Sequence, residues 1–473
     1  MDGFPRELTL QAQASEHDLV DEVRASSTGR SPNYIPPELL TIILKHVRQS
    51  HSCLYAACLV NSHWRTIAQP LLFDGWSESR GTGWDQYKHM LGYIRSLLDR
   101  PDLAASVTTI NLDSCCEGWR DLEADDPPDP PDPDLLERML EAAECHRPGN
   151  EDWKTAISEG RHDSTLALML YLLPRLTSLN LTVSHCEDPD PGLSHWIMMF
   201  ARQNSSQDSS TTSSFLQELR VIHAQHWDTE NGFSMSDIAP LLMLPNLHTV
   251  EAYALGGCDV PASETWPVRS SKVRLLSLIQ SGMEAEDFEH LLSTFEALEV
   301  LEWEWGSATQ TDAEVNVSEI GNTLRRHGKS LQRLVIDVSD SFWFEYGDAT
   351  TDTIGSLAHM TLLKSITLPT IFLTCKDDVD DESDFEPLHF ADVFPQALEE
   401  LNLIGTTLRL PQYLLEMARS CASAFPKLKV VRCPEWNESD PEVDVEIVRQ
   451  AFEAADVSFM GFGRVYLPRS FFN

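Results

Sequence analysis

A short apolar motif, apolar-x-x-apolar-x-apolar, recurs along the chain and restricts its fold more than any other feature. It stands at Val107, Ile110 and Leu112, then at Leu176, Leu179 and Leu181, and at Leu216, Leu219 and Val221. It returns at Val273, Leu276 and Leu278, at Leu298, Leu301 and Trp303, and at Leu331, Leu334 and Ile336. Two further copies are Leu363, Ile366 and Leu368, and Leu398, Leu401 and Leu403, with weaker ones at Leu247/Val250 and Leu428/Val431. The closing apolar-x-apolar pair has the period of a strand with one buried face. Helical patterns precede many copies, at 288–295, 320–324, 354–360 and 413–418. Proline punctuates the passage to the strand at Pro174, Pro245 and Pro426. One helix and one strand per unit, repeated, imply an α/β fold: a solenoid with a parallel sheet. A doubly wound α/β domain is the competing arrangement. Spacings of 25, 33 and 32 residues beside one of 69 make the repeats divergent, about ten in all.

Three polar segments interrupt this array. The run 125–134 (DDPPDPPDPD) should be stiff and extended, since proline opposes helix. The run 203–214 (QNSSQDSSTTSS) has linker composition, and 376–386 (KDDVDDESDFE) is a train of mutually repelling carboxylates. The last of these lacks the glycine and ligand spacing of a calcium loop. Beyond them, 443–455 is an amphipathic helix pattern. Val457 to Met460 and Gly463 to Leu467 look like closing strands, with Phe471 and Phe472 expected over the last apolar layer.

Ahead of the array, residues 35–73 form a separate short module. Pro37 and Glu38 suit a first helical turn, and Leu39, Ile42, Ile43 and Val47 recur at helical spacing. Ser52 can cap a second helix carrying Leu54, Ala57 and Cys58, and Asn61 a third with Trp64, Ile67, Ala68 and Leu71 on one face. Three short helices cannot enclose a full core, so apolar surface should remain for a partner.

This module resembles an F-box. Ile35-Pro36-Pro37-Glu38 stands for the family's Leu-Pro-x-Glu start, and Val60-Asn61-Ser62-His63-Trp64-Arg65 for its Val-x-x-x-Trp-Arg helix, in the form common in fungal members. The array resembles the irregular leucine-rich repeats of F-box proteins, although the family's Asn or Cys after the last apolar position is matched only by Cys115. The resemblance, together with composition and apolar spacing, implies five segments: a loose tail at 1–30, an F-box at 31–76, a connecting helix at 77–106, a repeat domain at 107–440 and a cap at 441–473. It also implies a role as substrate-recognition subunit of an SCF-type cullin–RING ubiquitin ligase. The F-box would bind an acidic Skp-family adaptor, and through it a cullin, and the repeats would bind the protein to be ubiquitinated. The adaptor face would comprise Ile35, Pro36, Glu38, Leu39, Ile42, Ile43, Leu54, Cys58, Val60 and Trp64. A scaffold that binds partners without promoting ubiquitination is the other expectation.

Strand alternation, independently of any family, places a set of side chains on the open face of the sheet. These are Asn180, Arg220, Glu251, Tyr253, Glu302, Glu304, Arg333, Asp337 and Asn402, with Glu302, Glu304 and Asp337 forming an acidic patch suited to a basic protein substrate.

Charge points the same way. Thirty-five basic residues against 74 acidic give −39, which repels nucleic acid and anionic membranes. The 35–73 module is locally basic, with Glu38 against Lys45, Arg48 and Arg65. Ten scattered cysteines without a Cys-x-x-Cys pair, and a start lacking the apolar core of a signal peptide, suit a reduced chain of the cytoplasm or nucleus. There is no phosphate loop, dinucleotide glycine motif or nucleophile elbow. His223 and His226 should diverge rather than share a metal, and the Cys145-His146 pair need not converge. No enzymatic activity, cofactor or metal is expected.

Overall fold

The computed structural model describes residues 35–47, 50–77, 83–112, 131–183, 193–205, 215–226, 232–257, 268–306, 316–339, 353–373, 389–405, 410–434 and 445–461. The tail at 1–30, the carboxylate run at 376–386, the strand expected from Gly463, and Phe471 and Phe472 lie outside the described residues, as does most of the 203–214 segment. Two compact units divide the chain, Met1–Phe73 and Asp74–Asn473.

In the small unit three helices span Pro37–His46, His51–Val60 and Ser62–Phe73. Pro37 occupies the first turn of the first helix, where its missing N–H costs nothing. Asn61 caps the third helix, its Oδ1 accepting from the Trp64 N–H at 2.9 Å. The cap of the second helix is Ser50, which accepts from the Cys53 N–H, and not the expected Ser52. The core is Leu40, Leu44, Leu54, Ala57, Cys58 and Ala68, with Ile35, Val47, Trp64, Ile67, Leu71 and Leu72 packed against it. The first helix therefore carries two apolar stripes where one was expected. Leu40, Leu44 and Val47 turn inward, while Leu39, Ile42 and Ile43 stay exposed.

The large unit is built on one sheet of twelve strands, ordered β1-β2-β3-β4-β6-β8-β9-β10-β11-β12-β13-β14. They are β1 Gly75–Ser77, β2 Thr109–Leu112, β3 Ser178–Val183, β4 Val221–His226, β6 Thr249–Tyr253, β8 Leu275–Ser281, β9 Val300–Trp305, β10 Arg333–Asp337, β11 Ser365–Pro369, β12 Glu400–Ile404, β13 Val430–Cys433 and β14 Ser458–Gly461. The short strands β5 Phe233–Ser234 and β7 Leu255–Gly256 pair with each other beside it. Every pairing is parallel, and the order never reverses, as it would in a doubly wound sheet. This order is compatible with a solenoid-like arrangement.

The middle apolar residue of each motif lies on a single cross-strand ladder. It runs from Trp76 through Ile110, Leu179, Ile222, Val250, Leu276, Leu301, Leu334, Ile366, Leu401 and Val431 to Phe459. All but Trp76 are buried. One copy of the motif is corrected by three residues. Ile222 holds the ladder position, so the frame there is Leu219, Ile222 and Ala224, and Leu216 sits in a turn at φ 52°. Alanine in the third place hid the true frame.

Helices flank the strands at His162–Tyr171, Leu193–Ser205, Ala285–Ser293, Val317–His327, Leu410–Ala424 and Val445–Ala454. The helix expected at 354–360 is absent. That segment turns at Gly355 (φ 71°), and its Leu357 N–H donates to the Val393 carbonyl at 2.7 Å. Helix Val317–His327 presses directly on it: a Cβ at Gly321 would lie 1.9 Å from the Ile354 carbonyl oxygen, so glycine is required there. Arg325 Nη1 donates to the same carbonyl at 2.7 Å.

Helix Gly83–Asp99 buries Tyr87, Met90, Leu91, Ile94 and Leu97 in the core of the large unit, which also gains the unforeseen β1. It is part of that unit, where the sequence suggested a separate connector beginning after residue 76. The 69-residue interval between β2 and β3 contains two additional helices, Pro133–His146 and Glu151–Ser158. Pro133 and Asp134, expected to be extended, instead open the first of them, capped by Asp132 Oδ1 accepting from the Leu135 N–H at 3.1 Å.

Candidate partner-binding surfaces

The small unit leaves Leu39, Ile42, Ile43, Tyr55, Leu59 and Val60 exposed, with Ile42 at 53% and Leu59 at 61%. Leu39, Ile42 and Ile43 share one side of the first helix because they are spaced by three and four residues, and Tyr55 and Leu59 do the same on the second. Of the ten side chains expected on an adaptor face, Glu38, Leu39, Ile42, Ile43 and Val60 are exposed. Ile35, Pro36 and Trp64 are half-buried. Leu54 and Cys58 are corrected to the interior, where Leu54 is 1% exposed. Burial pushes the Cys58 thiol up, with Arg65 pulling weakly the other way. The same Arg65 ties the second helix to the third, its Nε donating to the Cys58 carbonyl at 3.1 Å. Sequence reasoning missed Tyr55 and Leu59, whose i, i+4 spacing was the available signal.

On the sheet, the residue after each ladder position faces away from the flanking helices. That row reads Asn111, Asn180, His223, Glu251, Ser277, Glu302, Val335, Thr367, Asn402 and Arg432. Asn180, Glu251, Glu302 and Asn402 take their expected places in it, and Tyr253, Glu304 and Asp337 lie two residues further along their strands. Arg333 lies one residue before its ladder position. Arg220 is corrected: it precedes β4, exposed, and is held through its backbone, its N–H donating to the Thr177 carbonyl and its carbonyl accepting from the His248 N–H, both at 2.9 Å. The shifted frame of that copy explains the error, and the same shift concealed His223.

The charges on this face are largely paired. His223 Nδ1 is 3.3 Å from Glu251 Oε2, and Glu251 is buried. Arg333 Nε donates to Glu302 at 3.0 Å. The expected acidic patch therefore shrinks to Glu304 and Asp337, opposite one another in register, where Glu304 accepts from Gln280 at 2.6 Å and Asp337 from the Ser339 N–H at 2.9 Å. Neither has a cationic partner among the described residues. Asn402 is buried, and its Oδ1 has no hydrogen-bond donor among the described residues.

Against known proteins, no family model matches this chain, and no curated protein matches it.

No cluster of three or more His, Cys, Asp or Glu placed to hold a metal occurs among the described residues. His223 and His226 both belong to β4 and fall on opposite faces. Cys145 is exposed, while His146 stacks on Tyr171 at 5.2 Å and is held below the usual histidine range by burial. No helix among the described residues is long and apolar enough to cross a membrane.

Proposed function

We propose that this protein is the substrate-recognition subunit of an SCF-type ubiquitin ligase, an F-box joined to irregular leucine-rich repeats. The three helices of the small unit would dock an acidic Skp-family adaptor, which brings the cullin, and the sheet face would hold the protein to be ubiquitinated. One observation carries this reading: six large apolar side chains exposed on a three-helix unit whose core is only six residues. Exposed apolar side chains on a unit that also carries Lys45 and Arg65 suit an acidic partner with an apolar groove. The strand order supports a repeat domain that displays a row of side chains, and the unneutralised Glu304 and Asp337 suit a Lys- or Arg-bearing segment of the substrate.

Purified adaptor should be captured by the full-length chain and lost with Ile42→Ser/Ile43→Ser, both exposed and so tolerant of change. Blotting the captured complex for cullin then separates a ligase receptor from a scaffold that binds the adaptor alone. Absence of adaptor binding by the unaltered chain would overturn the proposal.

A further inference from the structure

The two helices added between β2 and β3 enclose a groove of about 1080 Å³, open to solvent. A strand-plus-helix repeat does not require them, since helix His162–Tyr171 already precedes β3. Leu136 and Leu140, one turn apart and half-buried, form its apolar floor. Glu137 and Glu141 stand beside them, exposed and likewise one turn apart. No ion pair neutralises either one among the described residues, and their mutual repulsion on one helix face is left uncompensated. Lys154, across the groove, is taken up by Glu144 at 2.8 Å and Glu151 at 2.6 Å.

We infer that this groove docks a basic amphipathic helical segment of another protein. Its apolar side chains would lie on Leu136 and Leu140, and its Lys or Arg side chains would meet Glu137 and Glu141. Charge decides the occupant. The chain carries −39, so a second copy would bring repulsion, and the neighbouring 125–134 segment is itself a run of aspartates and prolines.

Cys145 lines the groove and is exposed, which permits a test that reads this location alone. The full-length protein is alkylated with iodoacetamide, with and without a synthetic Leu/Lys amphipathic helix of about 18 residues, long enough for five turns. Modification is followed peptide by peptide, and exposed Cys53 in the small unit serves as the internal reference. The peptide should slow alkylation of Cys145 several-fold and leave Cys53 unchanged. Glu137→Lys/Glu141→Lys, at exposed positions, should raise the concentration for half-protection at least about tenfold while the melting temperature holds. Equal protection by a scrambled peptide of the same composition would reduce the effect to non-specific charge attraction and overturn the proposal. Protection that survives the double reversal, or none in the unaltered protein, would overturn it too. Protection without added peptide that weakens on dilution would assign the groove to a second copy instead.

Discussion

The two units treat apolar surface in opposite ways. Among the described residues the small unit leaves six large apolar side chains exposed, while the large unit, about five times longer, exposes only Val268, Leu362, Ile447 and Met460, scattered along the chain. A repeat stacks each apolar layer on the next, so only its two ends face water. Three short helices have no such neighbour. Their inward stripe makes a core, and the outward stripe is left for something else to cover. Stability and binding should therefore separate between the units: changes in the ladder cost folding, and changes on the small unit's outer face cost only a partner.

The largest effect tests the solenoid side. Trp303 is fully buried, stacks between Phe288 at 4.6 Å and Trp305 at 4.7 Å, and donates from Nε1 to the Ser281 carbonyl at 2.8 Å. Trp303→Ala should cost about 4 kcal/mol in urea unfolding of the large unit. A loss under about 1 kcal/mol would mean that its layers are not mutually supporting.

Gly321→Ala comes next. The added methyl meets a backbone carbonyl and not a flexible side chain, so the helix must move or the 353–360 segment must shift. An expected cost of about 3 kcal/mol, read as a lower urea midpoint with an unchanged slope, would place this contact among the tightest in the array.

On the small unit, Ile42→Ser/Ile43→Ser should change stability by no more than about 0.5 kcal/mol and, if the proposed adaptor docks there, weaken its binding by at least about a hundredfold. If the pair instead unfolds the unit, its outer face is structural and the contrast between the units fails.

The smallest effect lies at a surface contact. His389 Nδ1 pairs with Glu416, and this raises the histidine above its ordinary value of 6.5. A raised folded-state value contributes stability that is full below 6.5 and is lost as pH rises through the higher folded value. The melting temperature should fall slightly between pH 6 and pH 8 in buffers of matched ionic strength, and His389→Gln should flatten that slope. The pair is exposed and screened, so the change should be barely above the error of calorimetry.

Much of the array could be read from its residues because period-two burial writes itself directly into apolar spacing. Ile110, Leu179, Leu276, Leu301, Leu334, Ile366 and Leu401 were each placed correctly by one motif. The failures have local causes. Alanine at position 224 is apolar but small, so the frame slid to Leu216 and carried Arg220 onto the wrong site. At 354–360 the apolar spacing is helical, yet Gly355 in the left-handed region and the close approach of Gly321 impose a turn. Ion pairing was also hidden, because Arg333 meets Glu302 only through a pairing across 31 positions of sequence. In the small unit, helix existence was legible and facing was not. Leu39 and Leu40 are equally apolar, and only packing assigns one to water and the other to the core.

The unreversed strand order has a consequence for how such a chain is made. Each strand of the main sheet pairs only with the one synthesised before it and the one after, never with a distant segment. Every edge that emerges from a ribosome is thus the template for the next strand, and closing each layer costs the entropy of one sequence-local connection, the longest being that between β2 and β3. Assembly can proceed in step with translation, a layer at a time, from Gly75 toward Gly461. A defect in an early layer would leave a growing open edge, and one in the last layer would leave nearly everything before it already built.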